Sequence, residues 1–115
     1  NSNHREEYFS VKEIISPEVF VLNNGLRIKL IGIRGKSNTN GSAIDFLHKK
    51  LKNQKIFLKY DSIKHDEENN LLCYVYLKNK TFINAHLIKN GFVHVDEKSS
   101  YKYKDKFIIM GKSNG

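Results

Sequence analysis

Hydrophobic positions along this chain come in short clusters whose spacing alternates between the periods of strand and helix. Phe9, Val11 and Ile14-Ile15 mark a first extended segment, halted at Ser16-Pro17. Val19, Phe20, Val21 and Leu22 are apolar on both faces of a second strand. Asn23-Asn24-Gly25 follows, a turn built from residues that tolerate positive φ. The chain returns as a third strand over Arg27 to Ile33, completing a three-strand meander. Arg34 to Gly41 is polar and without periodicity, which predicts a loop. Ser42 as N-cap, with Asp45 three positions on, predicts a helix over 42–53. Its apolar stripe is Ile44, Leu47 and Leu51 with Phe46. Lys55 to Tyr60 and Leu71 to Leu77 read as two further strands, antiparallel neighbours across the acid-rich loop Asp61 to Asn70. Phe82 to Asn90 predicts a short helix stopped by Gly91. Phe92 to Val95 is a short extended piece, and Tyr101 to Met110 a last helix. A meander plus a hairpin, with a helix between them and another after, is the plan of a five-stranded OB-fold. That α+β arrangement removes its sheet edges by closing into a barrel.

Length narrows this to one domain. The chain has 115 residues, about the usual size of a single hydrophobic core. Residues 1–7 read as a polar lead-in and 8–112 as the domain. The longest apolar stretch, Leu71 to Leu77, is about a third of a membrane span, so no membrane partner is expected. Cys73 is the one cysteine, which excludes an internal disulfide and a Cys-cluster zinc site. Its place in an apolar strand predicts a core residue. The opening Asn1-Ser2-Asn3 has neither Met nor a signal-peptide pattern. The expectation is a piece of a longer cytoplasmic protein, with other domains of that parent as partners. Asn40-Gly41-Ser42 and Asn79-Lys80-Thr81 match the glycosylation pattern but carry little weight in that setting.

Charge changes the picture more than size does. The formal net charge is +8, a balance that suits nucleic acid or another polyanion. Of the twenty basic residues only Arg5, Arg27 and Arg34 are arginine. Bidentate reading of base edges favours Arg, so the composition points to non-specific phosphate attraction rather than sequence-specific recognition. Two segments, 42–59 and 98–112, each carry a net +4. An abundance of Lys, Asn and Ile is also what AT-biased coding produces, so part of this excess is compositional. Tyr101-Lys102-Tyr103-Lys104 interleaves aromatic rings with charge, a pattern that serves base stacking or a half-packed helix end. His4, His48, His65, His86 and His94 show no metal-ligand spacing.

From about Val11 to Val95 the order of pieces resembles the staphylococcal nuclease-like domains. The resemblance is carried by Ile28-Lys29-Leu30-Ile31-Gly32-Ile33-Arg34 and by Ala43-Ile44-Asp45-Phe46-Leu47 leading to Lys55-Ile56-Phe57-Leu58. It continues in Leu72-Cys73-Tyr74-Val75-Tyr76 and in Ile83-Asn84-Ala85-His86-Leu87-Ile88 through Gly91 to Val95. The resemblance implies an OB-fold barrel and, in active members, phosphodiester hydrolysis by a three-part site. Two aspartates hold Ca²⁺, a glutamate is general base to the attacking water, and two arginines hold the phosphate.

At the matching positions this chain departs from that set. Glu18 stands at the first metal aspartate and is the one carboxylate retained there. Arg34 stands at the second metal aspartate, Ser37 at the general base, Lys29 at the first arginine and Asn70 at the second. A shifted loop register would instead bring in Asp66, Glu67 or Glu68. The expectation is a domain with no catalytic residues, no metal and no cofactor. It would bind nucleic acid, DNA in the first place, through Lys29, Arg34, Lys36 and Asn70. These residues are expected to outweigh the two Lys-rich segments, with the acidic loop 61–68 repelling phosphate at another end of the barrel. Such barrels recur as appended modules of nucleic-acid-handling proteins, DNA-modifying enzymes among them. A protein-docking module and a residual metal-dependent phosphodiesterase are the alternatives.

Overall fold

The Asn24-Gly25 turn forms as its residues dictate. Gly25 takes φ +88°, and its N–H donates to the Leu22 carbonyl at 2.9 Å, while Asn24 Oδ1 accepts from Leu26 N–H at 3.0 Å. In a computed structural model, which describes residues 7–113 without the Ser113 side chain, this turn joins strands β2 (Val19–Leu22) and β3 (Arg27–Leu30). With β1 (Val11–Ser16) they make the predicted meander, antiparallel throughout. The expected lead-in falls almost wholly on residues 1–6, outside the described residues.

Helix α1 (Asn40–Leu51) crosses to strands β5 (Ile56–Lys59) and β6 (Leu71–Leu77), which pair antiparallel as the sequence predicts. β6 then runs parallel to β3, giving a five-stranded sheet of order β1-β2-β3-β6-β5. The sheet is OB-fold-like, but it does not close into a barrel by a continuous ladder. The expectation of closure is corrected to one bridge. Phe9 and Ile56 exchange two backbone hydrogen bonds of 2.8 and 2.9 Å, ahead of β1 proper. The first strand was expected to include Phe9. The ladder instead begins at Val11 and is irregular from there, with register shifts between Val11 and Glu13 and between Ile14 and Ser16. Such irregularities bend a strand away from its neighbour.

The third expected strand breaks in two. Gly32 adopts φ +82°, so β3 ends at Leu30 and the chain turns. It resumes as β4 (Ile33–Gly35), paired antiparallel with β7 (Val93–Val95) in a separate ribbon. Arg34 and Gly35, expected in a loop, therefore lie on a strand, with Arg34 opposite His94. A side chain at Gly32 is excluded by contact as well as by conformation. A Cβ there would sit 2.7 Å from the Phe107 ring and 2.9 Å from Tyr101.

The helices also start away from their expected positions. α1 begins at Asn40, before the Ser42–Asp45 box, and Thr39 makes no side-chain cap. The Thr39 hydroxyl instead donates to the Phe92 carbonyl at 2.8 Å, tying the helix start to the turn after α2 (Ile83–Lys89). α3 (Lys104–Ser113) begins three residues later than its periodicity suggests. Tyr101 and Tyr103 are spent on packing before it: Tyr101 O–H donates to the Asp96 carbonyl, and the Tyr103 ring meets Tyr74 edge-on at 5.0 Å.

The core lies between the sheet and the three helices, with Phe20, Leu22, Ile28, Leu47, Val75 and Phe107 fully buried. Cys73 is among the core residues, as expected, and burial pushes its thiol pKa upward. Asn84 is the polar residue that the core is built around. It is fully buried, accepts from Val75 N–H at 2.9 Å and donates to the Ile31 carbonyl at 2.9 Å. One side chain thus fixes α2 to β6 and to the bend that precedes Gly32. No helix is long and apolar enough to cross a membrane among the described residues.

Candidate functional site

Strand alternation decides what faces out of β3. Ile28 and Leu30 are buried, so Lys29 between them points to the other face. There it lines a cleft of about 490 Å³ with Arg34, Glu18, Asp61, Asp66 and Asp96 among its walls. Lys29 Nζ stands 3.9 Å from Glu18 Oε1 and 3.8 Å from Asp66 Oδ2. Among the described residues no other Lys or Arg has a carboxylate within 4.0 Å.

Glu18 is held in place from its other side. Its Oε2 accepts the Gly35 N–H at 2.7 Å, so the retained carboxylate serves the start of the loop after β4. Asp66 is held more firmly still. It accepts from the backbone N–H groups of Glu68 and Asn70 and from Asn70 Nδ2 at 2.8–3.0 Å. Burial acts to raise its pKa, but those hydrogen bonds and the Lys29 charge outweigh it and hold Asp66 below the usual value. Asp61 is likewise lowered, by the Lys102 N–H and the Tyr74 hydroxyl that donate to it. Asp96 is lowered against its burial by hydrogen bonds from Ser99 and Lys98 and by the Arg34 charge. The three aspartates therefore favour their charged form at neutral pH.

The acidic loop is consequently part of this cleft rather than a separate end of the molecule. The loop folds back because Asp66 closes on Asn70 across its own turn, with Asn69 at φ +64°. Asp61, at its other end, is drawn in by Tyr74. Four carboxylates against two cations make the cleft lining net negative, where the sequence led us to expect Glu18 alone and the acidic loop at another end of the barrel.

The four predicted binding residues are not brought together. Lys29 and Arg34 share the cleft, Lys29 in the ion pairs above and Arg34 exposed. Asn70 is 1% exposed, its Oδ1 accepting from Arg27 Nε at 2.9 Å and its Nδ2 donating to Asp66 at 3.0 Å. It braces the loop instead of facing solvent. Lys36 leaves the cleft altogether. Its Nζ donates to the Gly91 carbonyl at 3.1 Å, and it lines a second groove with His94, Glu97 and Lys112.

That second groove borders a surface that sequence reasoning did not single out. The half-buried Phe46 and Phe92 rings pack at 5.1 Å, and Lys50 Nζ lies 5.8 Å over Phe46. Burial together with the charges of Lys50 and Lys89 lowers the pKa of His86, which places three basic groups in one field. Two signals were readable in the sequence: Phe46 and Lys50 stand at i, i+4 on α1, and His86 and Lys89 at i, i+3 on α2. Their meeting was not readable, because it depends on the β4–β7 pairing.

The donor set does not fit a hard divalent cation of the Ca²⁺ type. Glu18 gives one oxygen to Gly35 and faces Lys29 with the other, and Arg34 is a cation where oxygen ligands are needed. Among the described residues no group of three or more His, Cys, Asp or Glu side chains is arranged to hold a metal ion. No curated protein matches the chain. The family model that describes staphylococcal nuclease homologues matches residues 27–112, three-quarters of the chain and everything from β3 to α3 except Ser113, and by that match the protein belongs to the staphylococcal nuclease family.

Proposed function

We propose that this member of the family does not hydrolyse phosphodiesters and instead binds nucleic acid non-specifically, as an accessory module of a nucleic-acid-handling protein. The observation that carries the first half is the pair of replacements on one short stretch. Arg34 stands where the family resemblance expects a metal-binding aspartate, and Ser37 where it expects the general base. A serine does not take a proton from water at neutral pH, and a positioned base is typically worth about 10²–10⁴ in rate. The field at the cleft compounds the loss. Lys29 is neutralised by Glu18 and Asp66, so it stabilises charge developing on a phosphate less than an unpaired bidentate arginine would.

Support for the second half is electrostatic. A net charge of +8, carried mostly by Lys and with a single ion-paired cation among the described residues, leaves many amines to replace counterions along a phosphate backbone. DNA is the expected ligand, with no base preference.

Two measurements on the 115-residue chain test this. Single-stranded DNA incubated with it and millimolar Ca²⁺ or Mg²⁺ should stay intact. Fluorescence anisotropy should show binding at about 50 mM salt that weakens linearly on a logarithmic salt scale. Cleavage that is abolished by Glu18→Ala would overturn the first half. No binding at low salt would overturn the second and leave a protein-docking module.

A further inference from the structure

The binding proposal above leaves open which surface holds the phosphates, and the geometry moves the answer away from the cleft. We infer that the nucleic-acid backbone lies along a ridge of Lys36, Lys50, Lys89 and Lys112 around the Asn90–Phe92 turn, with Phe46 and Phe92 as its aromatic faces. This inference rests on the nucleic-acid reading and adds its location.

Several elements converge there. The turn is fixed by Gly91 at φ +73° and by the Thr39 and Lys36 side chains, which donate to Phe92 and Gly91 carbonyls from the far end of the β4 loop. Lys36 Nζ is thereby held in place with further N–H groups to offer. α1 contributes Lys50 above the Phe46 ring, α2 contributes Lys89, and α3 contributes Lys112 across the groove. Lys50, Lys89 and Lys112 are exposed. Glu97 is the one carboxylate among the groove's lining residues, against two lysines and His94. Cations flanking half-buried rings form the kind of platform on which single strands bind with little base preference, phosphates on the amines and bases on the rings.

The cleft offers a strand less. Its carboxylates outnumber its cations two to one, and a phosphate approaching Lys29 meets Glu18 and Asp66 first. A backbone held along the groove between Lys36 and Lys112 meets one carboxylate, Glu97.

The test compares the unaltered chain with a Lys50→Glu, Lys89→Glu, Lys112→Glu variant and a charge-matched Lys59→Glu, Lys64→Glu, Lys78→Glu control at exposed positions around β5 and β6, by anisotropy with a 20-nucleotide single-stranded DNA. Lys59 is exposed on β5, where its amine covers the Tyr76 ring. The triple variant should lose about tenfold or more in affinity at 50 mM salt and about two units of salt slope, near 0.7 per lost contact. The control should change by less than threefold. Equal binding by the triple variant and the unaltered chain would overturn the ridge while leaving nucleic-acid binding intact. Failure of the unaltered chain to bind would overturn the functional reading itself. A second measurement needs no variant. Histidine NMR titration should show the His86 pKa rising when the oligonucleotide is bound, because phosphate offsets Lys50 and Lys89. A His86 titration unmoved at saturation would also overturn the ridge.

Discussion

The cleft beside β3 and the ridge around the Asn90–Phe92 turn both border the β4–β7 ribbon, yet they have opposite electrostatic character. In the cleft, Glu18, Asp61, Asp66 and Asp96 surround Lys29 and Arg34, and the central lysine is spent on ion pairs. In the groove along the ridge, Lys36 and Lys112 face one carboxylate, Glu97, and Lys50 and Lys89 add their charge around His86. The family resemblance implies acids at positions 34 and 37, where this chain has Arg34, in the cleft wall, and Ser37, beyond it. The cleft is nevertheless net negative, because carboxylates from the 61–66 loop and Asp96 line it. The difference teaches that the charge at one alignment position says little about the field at a surface. The field is set by every element that folds onto it.

The strongest way to break the comparison is to remove what both regions share. Asn84 joins the Ile31 bend, which opens the cleft, to α2, which carries His86 and Lys89. Asn84→Ala leaves the Val75 N–H and the Ile31 carbonyl unpaired in a fully buried setting, at a cost of about 1–3 kcal/mol for each group. Urea denaturation should show a loss of roughly 2–5 kcal/mol. A loss below about 1 kcal/mol would mean that the two regions do not depend on this side chain.

Next in size is the tie between the acidic loop and the C-terminal segment. Asp61 accepts from Tyr74 O–H and Lys102 N–H, and those bonds lower its pKa. A carboxyl lowered on folding stabilises the native state above its ordinary value near 3.8, and that stability is lost as pH falls through the folded value. Asp61→Asn should cost about 1 kcal/mol at pH 7 and make unfolding less sensitive to acid below pH 4. The stability difference between the two proteins should shrink progressively as pH falls below about 3.8. An undiminished acid response would assign it to Asp66 or Asp96 instead.

The sequence showed the scaffold more clearly than the surface, for physical reasons. Strand and helix periods repeat locally, so the meander, the β5–β6 pair and both main helices follow from residues close together in the chain. Gly32 was visible only as a glycine. Its role in breaking the third strand depends on Tyr101 and Phe107 arriving from far along the chain, beyond α2. Asn70 and Asp66 show the same limit at the site. Each was placed correctly on a loop, but the loop's closure over Lys29 comes from hydrogen bonds that no period encodes. The family resemblance marked Arg34 and Ser37 as departures, while the contact of Lys36 with the Gly91 carbonyl needed the β4–β7 ribbon.

A gentler manipulation sharpens the contrast by making the cleft resemble the ridge. Glu18→Gln with Asp66→Asn removes both carboxylates from Lys29 and keeps the hydrogen-bonding shapes that hold Gly35 and Asn70. Lys29 would then be available to a phosphate, and the salt slope for single-stranded DNA should steepen by about one unit at most, one added contact's worth. Affinity at 50 mM salt should rise a few-fold. An unchanged slope would show that a bound strand never reaches the cleft, even with its carboxylates gone.

The smallest effect is expected at His86, and it reports on the ridge without any ligand. Burial and the Lys50 and Lys89 charges lower its pKa from the ordinary 6.5. A base lowered on folding binds fewer protons in the native state, so stability rises with pH through that window and falls as the solution is acidified below about 6.5. Lys50→Gln and Lys89→Gln remove the charge contribution but leave the burial, so the His86 pKa should rise part of the way back. Raising the salt concentration on the unaltered chain should move it in the same direction, because screening weakens the two lysine fields and leaves desolvation untouched. NMR titration of the His86 ring at two salt concentrations separates the causes. A pKa insensitive to both salt and the two substitutions would assign the whole shift to burial, and the ridge would then lack the concentrated positive field that distinguishes it from the cleft.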